Sequence, residues 1–574
     1  MTTPHPWIEP LPLGGEGVAP HPVPETGRGR SRLGLLVSGS LAEGLAARLD
    51  PGVLIEDVRL GKFVKIIGQK YEYFCLVTDV QLDAANADVL RDPPGDRGTV
   101  DKFLRQVLNG TTTYGIIKLK PELMLANPLS ELVVDEADRV PRPARTIPAH
   151  FSSVGEASAS DFERVFGRDD EKHHFQIGQP IDMDVPVCLD LRRIVERSNG
   201  VFGKSGTGKS FLTRLLLCGV IKANVAVNLI FDMHSEYGWN AKNEEGIEVK
   251  GLSQLFGSRV AVYTLDMESS RGRGVRPEGE IKIALDEISV SDITLLQDEL
   301  RLHRTVVESA ALCEDKLGEH WASQLLDMSG GDLKRFTDDN GGNYNSLSAL
   351  RSKLRLIDRL PFVEKSLPRS TLDELIARLE RGQHVVLEFG RQRTLLAYIL
   401  AANLITRRLH ERWTKKTEHY WNTKQESDRP RPLIITIEEA HKFLNADAAR
   451  QTTFGTIARE LRKFYVTLLV VDQRPSGIDA EVLSQIGTRI TCQLNDERDI
   501  DAIFTGVSGG SHLRTVLATL DSREQALVLG HALPMPMMIR TRKYDPTFYA
   551  AVGTDDVAAV SARARRYEEI FGNE

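Results

Sequence analysis

The sequence predicts an α/β fold in which helices cover both faces of a parallel-rich sheet, together with a small N-terminal β-barrel and an inserted helical subdomain. Three observations support this prediction. A glycine-rich loop at residues 203–210 separates an apolar run from a helix-like run, and apolar runs alternate with helical segments along the rest of the chain. Short β-rich segments separated by turns fill residues 33–136. Continuous apolar strands are typical of a sheet covered on both faces, whereas short strands between turns favour a barrel.

The glycine-rich loop has the full pattern G-x-x-x-x-G-K-[ST] of a phosphate-binding loop. Between a strand and a helix, such a loop turns backbone N–H groups toward the phosphates of a nucleoside triphosphate. Lys209 can reach the β- and γ-phosphates, and the Ser210 hydroxyl can bind Mg²⁺. The pattern therefore predicts a P-loop NTPase core. The predicted nucleotide-binding residues are Gly203, Lys204, Ser205, Gly206, Thr207, Gly208, Lys209 and Ser210.

Alternating strands and helices define the extent of this core. A leucine-rich helical region at residues 286–380 interrupts the alternation, and we interpret it as an inserted subdomain whose apolar residues form its own core. The insertion divides the ATPase core into residues 161–285 and 381–545, and a C-terminal helical tail follows at 546–574. The predicted core strands are residues 225–231, 259–263, 384–389, 433–437 and 466–471.

The region before the core divides into three parts. Residues 1–32 are rich in Pro, Gly and Glu and lack an apolar stretch, which favours a disordered arm over a secretory signal. Residues 137–160 contain several prolines and serines and are predicted to be a linker. Between them, residues 33–136 are predicted to form the barrel, with strand patterns at residues 52–58, 63–67, 71–80 and 114–119.

Composition limits the class of protein. The chain is 41% hydrophobic and 27% charged, which is ordinary for a soluble globular protein. No apolar stretch approaches the roughly 18 residues of a membrane span, so we expect a cytoplasmic protein with no membrane association. The net charge of -7 argues against a wholly basic nucleic-acid coat, but it permits DNA to pass through a locally positive pore.

Two carboxylates end the predicted strand at residues 433–437. A P-loop ATPase needs one acidic group in the shell of the metal ion and another to polarise the attacking water. Successive residues at a strand end can meet both needs, so Glu438 is the metal-shell candidate and Glu439 the candidate catalytic base. The alternative is a solvated acidic turn. His441 follows on the next turn, and sensing the nucleotide and simple packing both remain open for it.

The next predicted strand ends at Gln473, which is well placed to contact the γ-phosphate or the attacking water and to act as a sensor. Arg459 and Arg462, on the charged helix before that strand, are candidates for an arginine finger that reaches a neighbouring subunit's nucleotide. The alternative for both arginines is a solvated basic helix face. An acidic loop at residues 232–237 also follows a strand, and it is more consistent with orienting a loop than with binding a metal.

Together these segments resemble the HerA family of hexameric DNA translocases, whose P-loop core is similar to those of FtsK and RecA. The resemblance lies in the phosphate loop, the loop at residues 232–237, the acidic pair with Ala440-His441, and the segments at 459–464 and 473–476. Residues 483–488 and 495–499 resemble the segments that follow, and the N-terminal β region resembles the family's HAS-barrel. Two residues depart from the family pattern: Glu438 stands where Asp is usual, and Ser235 where Gly is usual.

The resemblance implies a homohexamer with ATP and Mg²⁺ between subunits and double-stranded DNA in the central channel. It implies DNA translocase or helicase activity with a NurA-like nuclease, or another effector, docked on the β-barrel, in DNA end resection and repair. Alternatives are the ATPase subunit of an anti-phage defence complex with a sirtuin-like or nuclease effector, or a nucleotide-dependent scaffold that barely translocates. A DEAH-type RNA helicase is disfavoured, because the other motifs of that class are absent from the sequence.

Overall fold

The computed structural model describes twelve stretches of the chain. The predicted arm, apart from Arg32, and the part of the predicted tail beyond residue 553 lie outside them. Among the described residues, no helix is both long and apolar enough to cross a bilayer. The described stretches are residues 32–86, 88–91, 103–104, 107–108, 112–132, 136–169, 172–242, 248–392, 394–451, 453–507, 510–521 and 524–553.

The N-terminal strands form one antiparallel sheet in the order β2-β1-β7-β3-β4-β5-β6. Because β2 also pairs with β5, six of the strands close into a barrel and β6 lies outside the ring. The predicted barrel is therefore confirmed, but the strand predicted at residues 52–58 is wrong. Ile55–Asp57 forms a 3-10 turn there. The strands are β1 Arg32–Ser40, β2 Gly44–Leu49, β3 Phe63–Ile67, β4 Tyr71–Ala84, β5 Thr113–Ala126, β6 Arg142–Pro143 and β7 Ser153–Glu156.

The segment predicted as a linker, residues 137–160, takes part in this sheet. β7 pairs with β1 on one side and with β3 on the other, so the ring closes only through it. Its prolines and serines resemble those of a linker, but pairing with strands that lie far earlier in the chain leaves no local signal. We propose that the barrel domain extends to residue 156, and that the remaining predicted boundaries hold.

The ATPase core is built on a sheet in the order β15-β14-β18-β11-β19-β20-β10-β21-β22-β23-β8-β9. Its pairs are parallel from β15 to β21 and antiparallel beyond. All five predicted core strands are confirmed, as β11, β14, β18, β19 and β20. The strands are β8 His174–Pro180, β9 Val187–Asp190, β10 Asn199–Phe202, β11 Val227–Asp232, β14 Val260–Thr264, β15 Gly279–Glu280, β18 His384–Glu388, β19 Leu433–Glu438, β20 Val466–Asp472, β21 Thr488–Thr491, β22 Gln525–Gly530 and β23 Met537–Thr541. Two small pairs join β12 Ala241–Lys242 to β13 Glu248–Val249 and β16 Ile283–Ala284 to β17 Val363–Glu364.

Helices flank this sheet, and one of them, α4, begins inside the phosphate loop. The helices are α1 Asp88–Arg91, α2 Ala159–Phe166, α3 Leu191–Glu196, α4 Lys209–Ala223, α5 Leu252–Phe256, α6 Met267–Gly272, α7 Val290–Leu295, α8 Arg304–Leu317, α9 Trp321–Asp327, α10 Gly330–Asn340, α11 Tyr344–Asp358, α12 Thr371–Glu380, α13 Leu395–Thr423, α14 His441–Leu444, α15 Ala448–Gln451, α16 Thr453–Glu460, α17 Ala480–Gln485, α18 Glu497–Ile503, α19 Ser511–Ala518 and α20 Pro546–Val552.

Six of these helices, α7 to α12, form the predicted insertion between β16 and β18. Leu296, Leu347, Leu354 and Leu372 are buried within it, as expected for apolar residues that form a core. The insertion is attached to α13 through Arg407, whose guanidinium donates to the buried carboxylate of Asp292 at 2.8 Å.

A buried ionic cluster joins the barrel to the first helix of the core. Lys65 on β3 is 2% exposed, and its ammonium donates to Glu72 at 3.1 Å and to Asp161 at 2.9 Å. Asp161 also caps the N-terminus of α2 in a capping box with Ser158. Arg164 completes the cluster by donating to Glu72 at 2.7 Å. Because Asp161 lies on α2 and the other carboxylate on β4, this cluster ties the two domains together.

Candidate nucleotide-binding site

The phosphate loop connects β10 to α4, in the place that the sequence predicts. Gly206 and Gly208 adopt φ values of 80° and 89°, which other residues rarely tolerate. The hydroxyl of Thr207 donates to the carbonyl of Lys204 at 2.8 Å and closes the loop on itself. The loop therefore has the backbone needed to direct N–H groups toward a bound anion.

Strand order places the loop beside the residues predicted to work with it. β10 lies between β20 and β21, and β20 pairs in turn with β19. The amide of Gly203 donates to the carbonyl of Asp472 at 3.2 Å, so the loop is attached to the carboxyl end of β20. In parallel sheets, ligands bind at the carboxyl ends of strands, and here three of those ends meet the loop.

A cavity of about 420 Å³ opens at this edge of the sheet. Five of the eight predicted phosphate-loop residues line it, together with both members of the acidic pair and the predicted sensor. Arg459 is not among its described lining residues. The lining residues are Ser205, Gly206, Gly208, Lys209, Ser210, Phe211, Arg214, His234, Glu236, Ala241, Glu438, Glu439, Val471 and Gln473.

Glu438 is buried at the end of β19, with 6% of its surface exposed. One carboxylate oxygen accepts a hydrogen bond from the hydroxyl of Tyr237 at 3.0 Å, and the other has no hydrogen-bond partner among the described residues. Burial raises the pKa of Glu438 to about 8, and the nearby carboxylates of Asp232 and Glu236 add to the effect. A buried carboxylate with a free oxygen, in the same cavity as the Ser210 hydroxyl, fits the oxygen-rich shell of Mg²⁺.

Glu439 and Gln473 are joined to the phosphate loop by a relay of hydrogen bonds. The Gln473 side-chain amide donates to the Glu439 carboxylate at 2.9 Å, and its carbonyl accepts from the hydroxyl of Ser205, also at 2.9 Å. Glu439 has a left-handed backbone with φ of 50°, which is uncommon for a residue with a side chain. The candidate base, the candidate sensor and the loop thus form one connected unit.

The acidic loop at residues 232–237 is organised by Asp232. Its buried carboxylate accepts the backbone N–H groups of Glu236 and Tyr237, each at 2.8 Å, and that of Gly238 at 3.3 Å. All three donors belong to the loop or to the residue directly after it. The structure therefore supports the loop-orienting role over metal binding, and it explains how Tyr237 is brought to Glu438.

Of the two arginines predicted as fingers, Arg459 does not line the cavity of its own subunit. The guanidinium of Arg459 donates to the carbonyl of Ala449 at 2.8 Å, a contact between α16 and α15. Arg462 lies in the 3-10 turn Leu461–Phe464, and its side chain is outside the described part of the structure. The role of either arginine in a neighbouring site stays a prediction.

Arg214 is a residue of the site that sequence reasoning missed. It is 2% exposed, lines the cavity and donates to the carbonyl of Glu236. Its guanidinium also lies 5.9 Å from the ring centre of Tyr237 and 5.8 Å from that of Tyr544. The available signal was its spacing, because residue 214 follows Ser210 by one helical turn on the same face of α4.

Comparison with known proteins finds sequence similarity to HerA helicases. Residues 175–409 match the family described as the central domain of helicase HerA. The DNA double-strand break repair helicase HerA of Pyrococcus furiosus is 25% identical over 419 residues, which cover 67% of this chain and 72% of that protein. The protein of the same name from Saccharolobus solfataricus is 24% identical over 497 residues, covering 85% and 88%. Among solved structures, the bacterial conjugative coupling protein TrwBdeltaN70 has a TM-score of 0.45 at 12% identity, covering 67% of this chain and 92% of that one.

Proposed function

We propose that this chain, whose residues 175–409 match the family described as the central domain of helicase HerA, is an ATP-driven translocase of double-stranded DNA. The observation that carries the proposal is the relay from Ser205 through Gln473 to Glu439. A site that only bound nucleotide would have no need of a candidate base hydrogen-bonded to a candidate sensor. The relatives named as DNA repair helicases support the choice of DNA as the substrate track.

In the proposed reaction, the phosphate loop and Lys209 bind the triphosphate, and Glu439 orients the attacking water. Ser210 and Glu438 would hold Mg²⁺, which supplies neutralisation of the charge that develops on the phosphates. Gln473 gives up its bond to Ser205. Its side-chain carbonyl then accepts from the water, or its amide leaves Glu439 and donates to the γ-phosphate. Loss of the γ-phosphate then releases Gln473, and this change at the end of β20 is the signal that hydrolysis has occurred.

A complete site requires a neighbouring subunit in this proposal. Besides His234, the cavity has Lys209 and Arg214 as its basic side chains among the described residues, and Arg214 is engaged with Glu236. An arginine finger from the next subunit of a homohexamer would add positive charge at the γ-phosphate. The contact of Arg459 with Ala449 within its own subunit favours Arg462 as that finger. DNA in the central channel would be gripped through its phosphates, so salt sensitivity should be strong and sequence preference weak.

The barrel is the proposed docking surface for a NurA-like nuclease or another effector protein. Most of the large apolar side chains that the described residues expose lie in this part of the chain, and exposed apolar patches mark interaction surfaces. In the rest of the described chain, the exposed large apolar residues are Tyr344, Leu356 and Trp421. Those in and around the barrel are Leu41, Leu54, Ile67, Leu82, Leu90, Phe103, Leu104, Val107, Leu129, Leu132, Val140, Ile147 and Phe151.

Glu439→Gln tests the catalytic part of the proposal. Phosphate release is measured with and without duplex DNA, and nucleotide affinity is measured with a fluorescent ATP analogue. The variant should lose about 10²- to 10⁴-fold in kcat, since it loses its proton acceptor, and should keep its affinity for nucleotide. Glu418→Gln, at an exposed position of α13, is the matched control and should behave as wild type. Equal hydrolysis by Glu439→Gln and wild type would eliminate Glu439 as the base.

Two further measurements separate a motor from a scaffold. If processing of DNA with a copurified partner persists in Glu439→Gln, the chain assembles the partner without needing hydrolysis, and the motor proposal fails. Native mass measurement with a non-hydrolysable ATP analogue should give a six-subunit ring. A stable monomer under those conditions would contradict a site shared between subunits.

A further inference from the structure

The side chains of His441 and Asp472 form a pair directly behind the proposed base. Asp472, the last residue of β20, is buried and accepts the backbone N–H of His441 at 2.6 Å. It also lies 3.0 Å and 3.1 Å, through its two carboxylate oxygens, from Nδ1 of the His441 ring. Since a carboxylate only accepts hydrogen bonds, Nδ1 carries the proton, and the orientation of the imidazole is fixed by the end of β20.

The other ring nitrogen of His441 faces the reaction site. Nε2 lies 3.8 Å from the second carboxylate oxygen of Glu439, the oxygen that Gln473 does not contact. His441 is the side chain that the sequence left open between a chemical role and a packing role. Its side chain retains 24% exposure, so it is not a core residue.

Both oxygens of the Glu439 carboxylate therefore face groups that are tied to the end of β20. Gln473 extends directly from the tip of β20, and His441 is attached to that tip through Asp472. In the proposed reaction Gln473 turns to the nucleotide, because its partner in this structure, Ser205, belongs to the phosphate loop. When the amide of Gln473 leaves Glu439 to donate to the γ-phosphate, the imidazole is the described group that still faces the carboxylate of Glu439.

We propose that His441 is a positioning residue for ATP hydrolysis, held by Asp472 and keeping the Glu439 carboxylate in the orientation that accepts a proton from water. The inference rests on the proposed function, since it assigns Glu439 as the base. The left-handed backbone of Glu439 strengthens the argument: it departs from the extended conformation of β19, so strand geometry alone does not set the direction of the side chain. A contact from another side chain has to set that direction, and the imidazole of His441 lies next to the carboxylate.

Two substitutions test the two contacts of the imidazole separately. The amide of His441→Asn can replace Nδ1 and keep the bond to Asp472, but it does not extend as far as Nε2. The longer side chain of His441→Gln places its amide near the position of Nε2. We expect His441→Asn to lower kcat by about tenfold with KM changed less than about twofold, and His441→Gln to retain more of kcat than His441→Asn does. Melting temperature and affinity for a fluorescent ATP analogue are measured for both variants.

The outcomes are distinct. Wild-type kcat in His441→Asn would overturn the inference, because the bond to Asp472 would then be all that the histidine supplies. Loss of folding in both variants would also overturn it, by making the pair a requirement of the fold rather than of the reaction. Absence of hydrolysis in the wild-type protein would instead refute the proposed function.

Discussion

The barrel and the ATPase core use their apolar residues in opposite ways. In the core, strands such as β11, β19 and β20 are buried along their whole length, and polar groups collect where the strands end. In the barrel, buried and half-buried residues alternate along much of β5, and several large apolar side chains remain exposed, including Leu82 at 80% and Leu129 at 85%. In the core, the candidate reactive groups therefore lie at one edge of a buried sheet. The barrel instead exposes large apolar side chains, as the proposed docking surface requires.

The two regions are nevertheless joined by buried charge rather than by a flexible connection. The cluster around Lys65 lies where the barrel meets α2, and β7, which closes the barrel, is followed within a few residues by that helix. A partner docked on the barrel would therefore be held at a fixed orientation to the ATPase sheet. The experiments below test how far the two regions are separate and how far they act as one body.

The largest expected effect is on the junction itself. Lys65→Ala leaves the carboxylates of Glu72 and Asp161 in a buried place without their shared cation, and we expect it to lower the free energy of unfolding by about 3–5 kcal/mol. The measurement is urea denaturation followed by far-UV circular dichroism and by tryptophan fluorescence. Both proteins carry Trp7→Phe, so that the fluorescence reports the core, because the other four tryptophans, Trp239, Trp321, Trp413 and Trp421, lie outside the barrel.

If the junction couples the two regions, the two signals should coincide in wild type and separate in Lys65→Ala. The matched control is Arg32→Ala, which removes an exposed barrel cation paired with Asp50 and should cost no more than about 1 kcal/mol. Coincident transitions and unchanged stability in Lys65→Ala would show that the barrel and core are held together by other contacts.

A second experiment confines the change to the core. Gln473→Ala removes both bonds of the relay between Ser205 and Glu439, and we expect kcat to fall by about 10- to 100-fold, or roughly 1.4–2.7 kcal/mol of transition-state stabilisation. Stability should change little, because the side chain is only partly buried. Gln485→Ala, an exposed amide at the end of α17, serves as the control in the same phosphate-release assay. An unchanged kcat would remove Gln473 from the mechanism.

The core should also show a pH dependence that the barrel does not share. The hydrogen bond to Asp472 raises the pKa of His441, and the charges of Asp472 and Glu439 add to the effect while Lys442 opposes it. The stabilisation from this charged pair is present in full below the unfolded pKa of about 6.5, and it is lost as pH rises through the higher folded pKa. Unfolding free energies of wild type and His441→Asn should therefore differ by up to about 1 kcal/mol more at low pH than at high pH. A difference independent of pH would contradict the charged pair.

The smallest effect is expected on the outer face of the barrel. Replacing Leu82 and Leu129 by Ser should change the free energy of unfolding by less than about 0.5 kcal/mol, because both side chains are already exposed to water. Leu119→Ser, at a barrel position that is 1% exposed, is the contrasting variant and should be strongly destabilising. If these exposed apolar side chains promote association between molecules, light scattering should show less self-association for the double variant. Marked destabilisation by the double variant would mean that this face is covered within the protein.

Sequence patterns predicted the core more fully than the barrel, and the reason is physical. Residues 203–210 and the apolar strands carry local signals, so the phosphate loop, Glu438, Glu439 and Gln473 were predicted as one site and do line one cavity. Barrel pairing is non-local, so the sequence patterns predict a linker where β7 lies and a strand at residues 52–58, where the structure has a 3-10 turn. Arg214 was missed because a buried arginine in an apolar helix has no motif of its own. His441 could not be assigned, since its role depends on Asp472, which lies on another strand.

The backbone of Glu439 has a consequence for anyone who selects variants of this protein for heat resistance. A φ of 50° costs a residue with a side chain about 1 kcal/mol or more, a cost that glycine does not bear. Glycine at position 439 would relieve that strain and delete the carboxylate in one step. A screen that rewards survival at high temperature would therefore tend to enrich inactive protein at this position, and it needs an activity criterion beside it.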